Sequence, residues 1–335
     1  MTEHENIINK LSIIEKQNNK ILSTLDNSSH SNSDELLIQH EKVIYVSQLN
    51  EHESQNGSFQ SPFNNLEDAV RKATILSKDH KDIIILILDD NWYTLYVALR
   101  IPANTKIIGH KAKIDACIYM DSDNASVCID RHELKDEYDD EGYLTSLVIM
   151  NATNLSYKAN VVKTSHPKQK CFDVEGSAKN ISIDFNDCYL NSNGHVMSIT
   201  HGPQDCNINV RGDKVISKSN TTFFYIANSI EDCRIFIDIK DIVIMNLNNK
   251  IDSHDGVITF TNMYDPGFDN IIMFNCTSIR DERDDENSKS NHIHSIQNLE
   301  FTSDGVENHT TVLWRVLEDI SNNVKIMDKS NVIMM

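Results

Sequence analysis

Between residues 171 and 281 short apolar runs and polar turns alternate in a pattern written four times. Each copy opens with an apolar run: Cys171-Phe172-Asp173-Val174, Val196-Met197-Ser198-Ile199, Phe223-Phe224-Tyr225-Ile226 and Val257-Ile258-Thr259-Phe260. After a polar turn comes a second, alternating strand, at Asn180-Ile181-Ser182-Ile183, Asn207-Ile208-Asn209-Val210, Cys233-Arg234-Ile235-Phe236-Ile237 and Asn270-Ile271-Ile272-Met273. Ile181, Ile208 and Ile235 are spaced by 27 residues, and Ile271 follows after 36, so one loop is longer. Asp205-Cys206-Asn207-Ile208 and Asp232-Cys233-Arg234-Ile235 recur at one phase.

A unit of two or three short strands cannot bury its apolar face alone, and stacking on its neighbours solves that. The pattern therefore predicts an all-β chain, a parallel β-helix solenoid. Asn180, Asn207, Asn228, Asn246, Asn262 and Asn270 fit its turns, because Asn tolerates left-handed backbone and bonds to its own main chain. An antiparallel sandwich, whose strands also recur regularly, is the alternative.

Upstream the period changes. Ile7, Leu11, Ile14, Asn18, Ile21 and Leu25 follow one another at steps of 4, 3, 4, 3 and 4, the heptad of a coiled coil. With Leu at a, Ile at d and one seam Asn, the pattern predicts a parallel homotrimer; a single amphipathic helix docked on its own domain is the alternative. Residues 26–34 have no apolar side chain and read as a linker. The expected organisation is a coiled-coil stalk helix over 1–27, a flexible linker over 28–41, a body over 42–281, and a C-terminal loop with closing strands over 282–335.

The body begins with Lys42-Val43-Ile44-Tyr45-Val46-Ser47, then a loop with Asn56-Gly57-Ser58 and Ser61-Pro62-Phe63. Asn64 with Glu67 suggests a capping box, opening a helix over 65–78 whose apolar face is Leu66, Ala69, Val70, Ala73 and Leu76. The apolar strand 83–88 and Ile101-Pro102-Ala103-Asn104-Thr105-Lys106-Ile107-Ile108-Gly109 follow. This succession resembles the opening of right-handed parallel β-helix proteins of the pectate-lyase-like kind, most of all bacteriophage tail-spike and tail-fibre proteins. The resemblance covers residues 42–110 by motif and 145–281 by repeat. It implies a right-handed coil, a capping helix over the open end of the solenoid, where bare strand edges would pair with other chains, and a trimeric virion component.

Composition narrows the partners. Lys+Arg 31 against Asp+Glu 50 gives a net charge of −19, which argues against nucleic acid and anionic membranes. The longest wholly apolar run, 83–88, is far short of the ~20 residues that span a bilayer. The first residues are polar and acidic where a secretory signal would be basic and then apolar, so synthesis in a host cytoplasm is expected. Seven cysteines without a CxxC pair point to buried thiols, Cys206 above Cys233, and to neither disulfides nor zinc. No cofactor is expected. The acidic inserts 135–142 and 280–286 lack the ligand spacing of a calcium loop.

Tail-spikes of the resembled family often cleave polysaccharide, so paired outward carboxylates are the feature to seek. If Ile181, Ile208 and Ile235 point inward, Asp184, Arg211 and Asp238 stand outward on successive rungs about 4.8 Å apart. Asp184 and Asp238 would then be roughly 9.6 Å apart, near the upper limit for an inverting glycosidase. The other reading, and the favoured one, is a cross-rung ladder of ion pairs. The catalytic motifs of polygalacturonase-like members are missing except for His201-Gly202, and Asp89-Asp90 lies too early in the chain. The expected function is a non-enzymatic, trimeric tail or fibre component of a phage virion, contacting other tail proteins and a host-surface glycan. A polysaccharide-degrading spike and a bacterial surface β-helix are the alternatives.

Overall fold

In the computed structural model the described residues are 43–51, 54–134, 146–165, 169–192, 194–219, 223–227, 230–245, 256–261, 270–281, 291–295, 311–319, 325–326 and 332–334. All belong to one unit, Val43–Met335. The heptad residues 7–25, the linker and the insert 135–142 lie outside the described residues, as does the insert 280–286 apart from its first two residues.

The described chain is mostly parallel β-structure in two stacked sheets. One holds β1 (Val43–Val46), β2 (Ile83–Ile87), β3 (Trp92–Thr94), β5 (Thr105–Asp115), β7 (Ser126–Leu134), β9 (Thr153–Thr164), β11 (Lys179–Asn191), β13 (Asn207–Lys218), β15 (Arg234–Met245), β17 (Ile271–Asp281), β19 (Thr311–Asp319) and β21 (Val332–Met334). The other holds β4 (Leu99–Arg100), β6 (Ile118–Met120), β8 (Ser146–Met150), β10 (Lys170–Val174), β12 (Met197–Ile199), β14 (Phe224–Ala227), β16 (Gly256–Thr261), β18 (Asn291–Ser295) and β20 (Lys325–Ile326). From β4 onward consecutive strands alternate between the sheets, and each strand pairs with the strand two places on. The chain therefore winds between the sheets and returns one rung further along, an all-β solenoid. Every strand pairing among the described residues is parallel, which excludes the antiparallel sandwich.

Leu155, Ile181, Ile208 and Ile235 stand side by side in β9, β11, β13 and β15. They are buried, as are Ile183, Val210 and Ile237 two residues on. Alternation in these strands thus fills one continuous core. Inside it the His132, Tyr157, Phe172 and Phe185 rings follow one another at 5.6–5.9 Å, and Trp314 stacks on Phe274 at 4.4 Å. Cys206 and Cys233 are both buried, one rung apart, in side-chain contact.

Three local expectations need correction. Ile235 pairs with Ile272, 37 residues on, and not with Ile271, which is 40% exposed. Ile271-Ile272-Met273-Phe274 is apolar throughout, so it carries no alternation to fix the face, and a one-residue slip exchanges inside for outside. The helix α1 is Leu66–Leu76, and its cap is Asn65, whose side chain accepts from the Asp68 N–H and donates to the Asp68 carboxylate. Asn64 and Glu67 are one residue out of phase. Of the expected asparagine turns, Asn180 is left-handed, but its equivalents are Asn104, Asn124 and Asn154 upstream, while Asp205 and Asp232 take that conformation in the later copies. Asn270 is instead buried, accepting from the Cys233 N–H and donating to the Ile230 carbonyl; Asn228, Asn246 and Asn262 lie outside the described residues.

Helix α1 buries Leu66, Ala69 and Ala73 and packs on β1 and β2. The outer edge of β1 is covered by the loop that follows it: Tyr45 N–H donates to the Gly57 carbonyl, and Phe63 N–H donates to the Tyr45 carbonyl, both at 2.9 Å. An edge that could template another chain is closed locally.

Candidate functional site

The sequence-selected residues form a column on the outer face of the long-strand sheet. Lys158, Asp184, Arg211, Asp238, Asn275 and Arg315 occupy one register position on β9, β11, β13, β15, β17 and β19. Their inward neighbours Tyr157, Ile183, Val210 and Ile237 hold the strands, and the pleat turns the next residue outward. With Asn186, Asp213, Lys240 and the buried Phe185 and Gly212, the first four line a shallow groove of about 280 Å³.

The ion pairs expected along this column are not formed. Among the described residues the side chains of Lys158, Asp184 and Arg211 have no hydrogen bond or ion-pair partner; Asp238 accepts from Asn275 Nδ2 at 2.6 Å. The ion pair in the groove belongs to the next column, Lys240 to Asp213 at 2.5 Å, and the Asp213 carboxylate raises the Lys240 pKa. Alternate charges at rung spacing are solvated separately, because pairing two long side chains costs their rotamer freedom.

A second polar cluster, not foreseen from the sequence, sits on the other sheet. Asp173 on β10 is 3% exposed, and its carboxylate takes four donors: Lys170 Nζ at 2.8 Å, Ser198 Oγ at 2.7 Å, Thr200 Oγ1 at 3.0 Å and Ser146 Oγ at 3.4 Å. Glu175, two residues on, has its pKa raised by burial and then by the Asp173 charge, with His201 and Lys170 acting the other way. Two carboxyl groups in unlike environments are what acid–base chemistry requires. Here, however, one of them is saturated by donors that tie β8, β10 and β12 together, leaving Glu175 without a free carboxylate partner. The three hydroxyl donors come from residues 25 and 27 positions away, and no local motif marks them.

The remaining polar features hold the coil. Asn124, Asn154 and Asn180 each donate their Nδ2 to the Oδ1 of the asparagine one rung earlier, at 2.9–3.0 Å, starting on Asn104. Asp89 accepts from Tyr93 OH and from the Gln48 and Asn91 N–H groups, fixing the first corner. Trp314 is buried and offers no stacking surface. Among the described residues no group of three His, Cys, Asp or Glu is placed to hold a metal ion, and no helix is long and apolar enough to cross a membrane. Comparison with protein-family models, with curated proteins and with solved structures finds no match for the chain.

Proposed function

We propose that this chain is a right-handed parallel β-helix carried on a three-stranded coiled coil through Ile7, Leu11, Ile14, Asn18, Ile21 and Leu25. In this reading it is a non-enzymatic component of a phage virion, of the tail or fibre type, serving assembly or host attachment. The observation that carries the reading is the rung-by-rung parallel register, with steps of 26 and 27 residues between β9, β11, β13 and β15. A rod of stacked rungs is stiff, extendable and rich in surface, which suits a fibre. The absence of enzymatic function is supported by the chemistry of both clusters. Among the described residues Asp184 has no hydrogen-bond or ion-pair partner and Asp238 accepts from the Asn275 amide, so no side chain couples the two carboxylates, and Asp173 is engaged by four donors.

Electron microscopy of the intact assembly tests the reading. Three rods joined at one end, and antibody label on purified virions, are the expected results; a monomeric particle or label confined to the bacterial surface would overturn it. Depolymerisation of a host glycan by wild-type protein, lost in Asp184→Asn or Asp238→Asn, would overturn the non-enzymatic part alone.

A further inference from the structure

We propose that the outer face of the long-strand sheet packs against the same face of a second copy, turned end for end, through the column Lys158, Asp184, Arg211 and Asp238. On successive rungs about 4.8 Å apart the column reads plus, minus, plus, minus. Three of these four side chains spend their charge on no neighbour, and the fourth accepts one amide hydrogen bond.

An alternating column is its own complement when reversed. A two-fold axis parallel to the strands, midway between the rungs of Asp184 and Arg211, brings Lys158 against the copy's Asp238 and Asp184 against the copy's Arg211. Both contacts occur twice, as an isologous interface requires. The adjoining column raises no like-charge clash under the same operation: Asn186 meets the copy's Asp213, and Asn160 meets its Lys240. Complementarity of this kind fixes register more than it adds affinity.

The alternation also decides the class of partner. A polyanion attracted to Arg211 would meet Asp184 and Asp238 on the flanking rungs, whereas a neutral chain would leave four charges uncompensated. A second copy satisfies all four. Exposed ion pairs are individually weak and screened by salt, and the chain's net charge of −19 opposes association, so the contact forms at high protein concentration and low ionic strength. A parallel stalk sets its copies in one direction, so this reversed contact lies between assemblies and does not depend on the stalk.

Sedimentation velocity of the full-length protein, over a range of concentration and salt, tests it. Wild type is expected to show a concentration-dependent doubling of its basic unit that salt abolishes. Asp184→Arg and Arg211→Asp should each lose the doubling, because one sign then meets itself at the centre. The double variant Asp184→Arg/Arg211→Asp reads plus, plus, minus, minus, which is again self-complementary when reversed, and should regain it. Unchanged thermal melting of the exposed variants confirms that they fold. Doubling that survives either single change, no rescue by the double change, or no doubling of wild type at low salt would each overturn the proposal. So would polygalacturonate binding by wild type that the double variant loses. The size of the basic unit, read separately from Ile14→Asn and Ile21→Asn, reports on the stalk alone.

Discussion

Phe185 lies across Gly212 of the next rung: a Cβ built on Gly212 would sit 2.2 Å from Phe185 Cε2 and 2.6 Å from its Cζ. The two are register partners in β11 and β13, and the ring is also held by Phe172, stacked at 5.9 Å. Gly212 is therefore required for space. Gly212→Ala should destabilise by about 1–3 kcal/mol, as overpacking does. Phe185→Leu, which shortens the intruding side chain, should make the added methyl cost less, so the double variant should melt above the temperature expected from adding the two changes. Strict additivity in thermal melts would show that the ring is not what the methyl meets.

His132 provides a pH test. It is fully buried, with Nδ1 2.8 Å from Tyr157 OH and Nε2 2.7 Å from the Ala116 carbonyl. The carbonyl can only accept, so Nε2 carries the hydrogen and Nδ1 accepts from Tyr157 in the neutral ring. Burial lowers its pKa to about 4, against an ordinary value of 6.5. The unfolded chain then binds a proton that the folded chain refuses. Stability from this site is complete above about pH 6.5 and lost as pH falls towards 4, by roughly 3 kcal/mol at most. Denaturant midpoints at pH 7.5 and 4.5 should fall further for wild type than for His132→Gln. Equal falls would assign the acid sensitivity to the carboxylates instead.

The rungs that could be read from the sequence are those where apolar and polar residues alternate strictly. Ile181, Ile183, Ile208, Val210, Ile235 and Ile237 announce their own faces, and the outward column of Asp184, Arg211 and Asp238 follows from them. Alternation fails at Ile271, where four apolar residues in a row fit either face, and there the pattern points one residue away from the observed pairing of Ile235 with Ile272. The ion-pair ladder failed for a different reason. Backbone register is written in the pattern, but whether Arg211 reaches Asp184 depends on side-chain rotamers and hydration. Asp173 was invisible because Ser146, Ser198 and Thr200 become its neighbours only once β8, β10 and β12 stack.

Asn154 separates backbone conformation from side-chain bonding. It is exposed, left-handed at φ 58°, and sits mid-ladder, donating to Asn124 and accepting from Asn180. Asn154→Ala loses both amide bonds and places a Cβ where the left-handed conformation costs about 1–2 kcal/mol. Asn154→Gly loses the same bonds without that cost. Alanine should therefore melt below glycine, and the glycine variant's remaining loss, expected under ~1 kcal/mol because the amides are solvated, measures the ladder. Equal melting of the two would mean that the turn relaxes out of its left-handed conformation.

Asp173 and Lys170 should prove coupled, and Glu175 can report it. The ammonium is 2.8 Å from a carboxylate on the same short strand, and both side chains are largely buried, at 19% and 5% exposed. Removing one partner from a buried pair leaves the other charge uncompensated, so Asp173→Ala should cost about 3–5 kcal/mol. Lys170→Met should cost less, since its methylenes are replaced and three hydroxyl donors remain on Asp173. Combining Asp173→Asn with Lys170→Met should fall short of additivity by about 1–3 kcal/mol. The Glu175 carboxyl feels both groups with opposite sign: Asp173 raises its pKa and Lys170 lowers it. In a carboxyl-carbon NMR titration Asp173→Asn should therefore move Glu175 down and Lys170→Met should move it up. Shifts of the same sign in both variants would mean that burial alone sets the Glu175 titration and that the three groups do not form one electrostatic cluster.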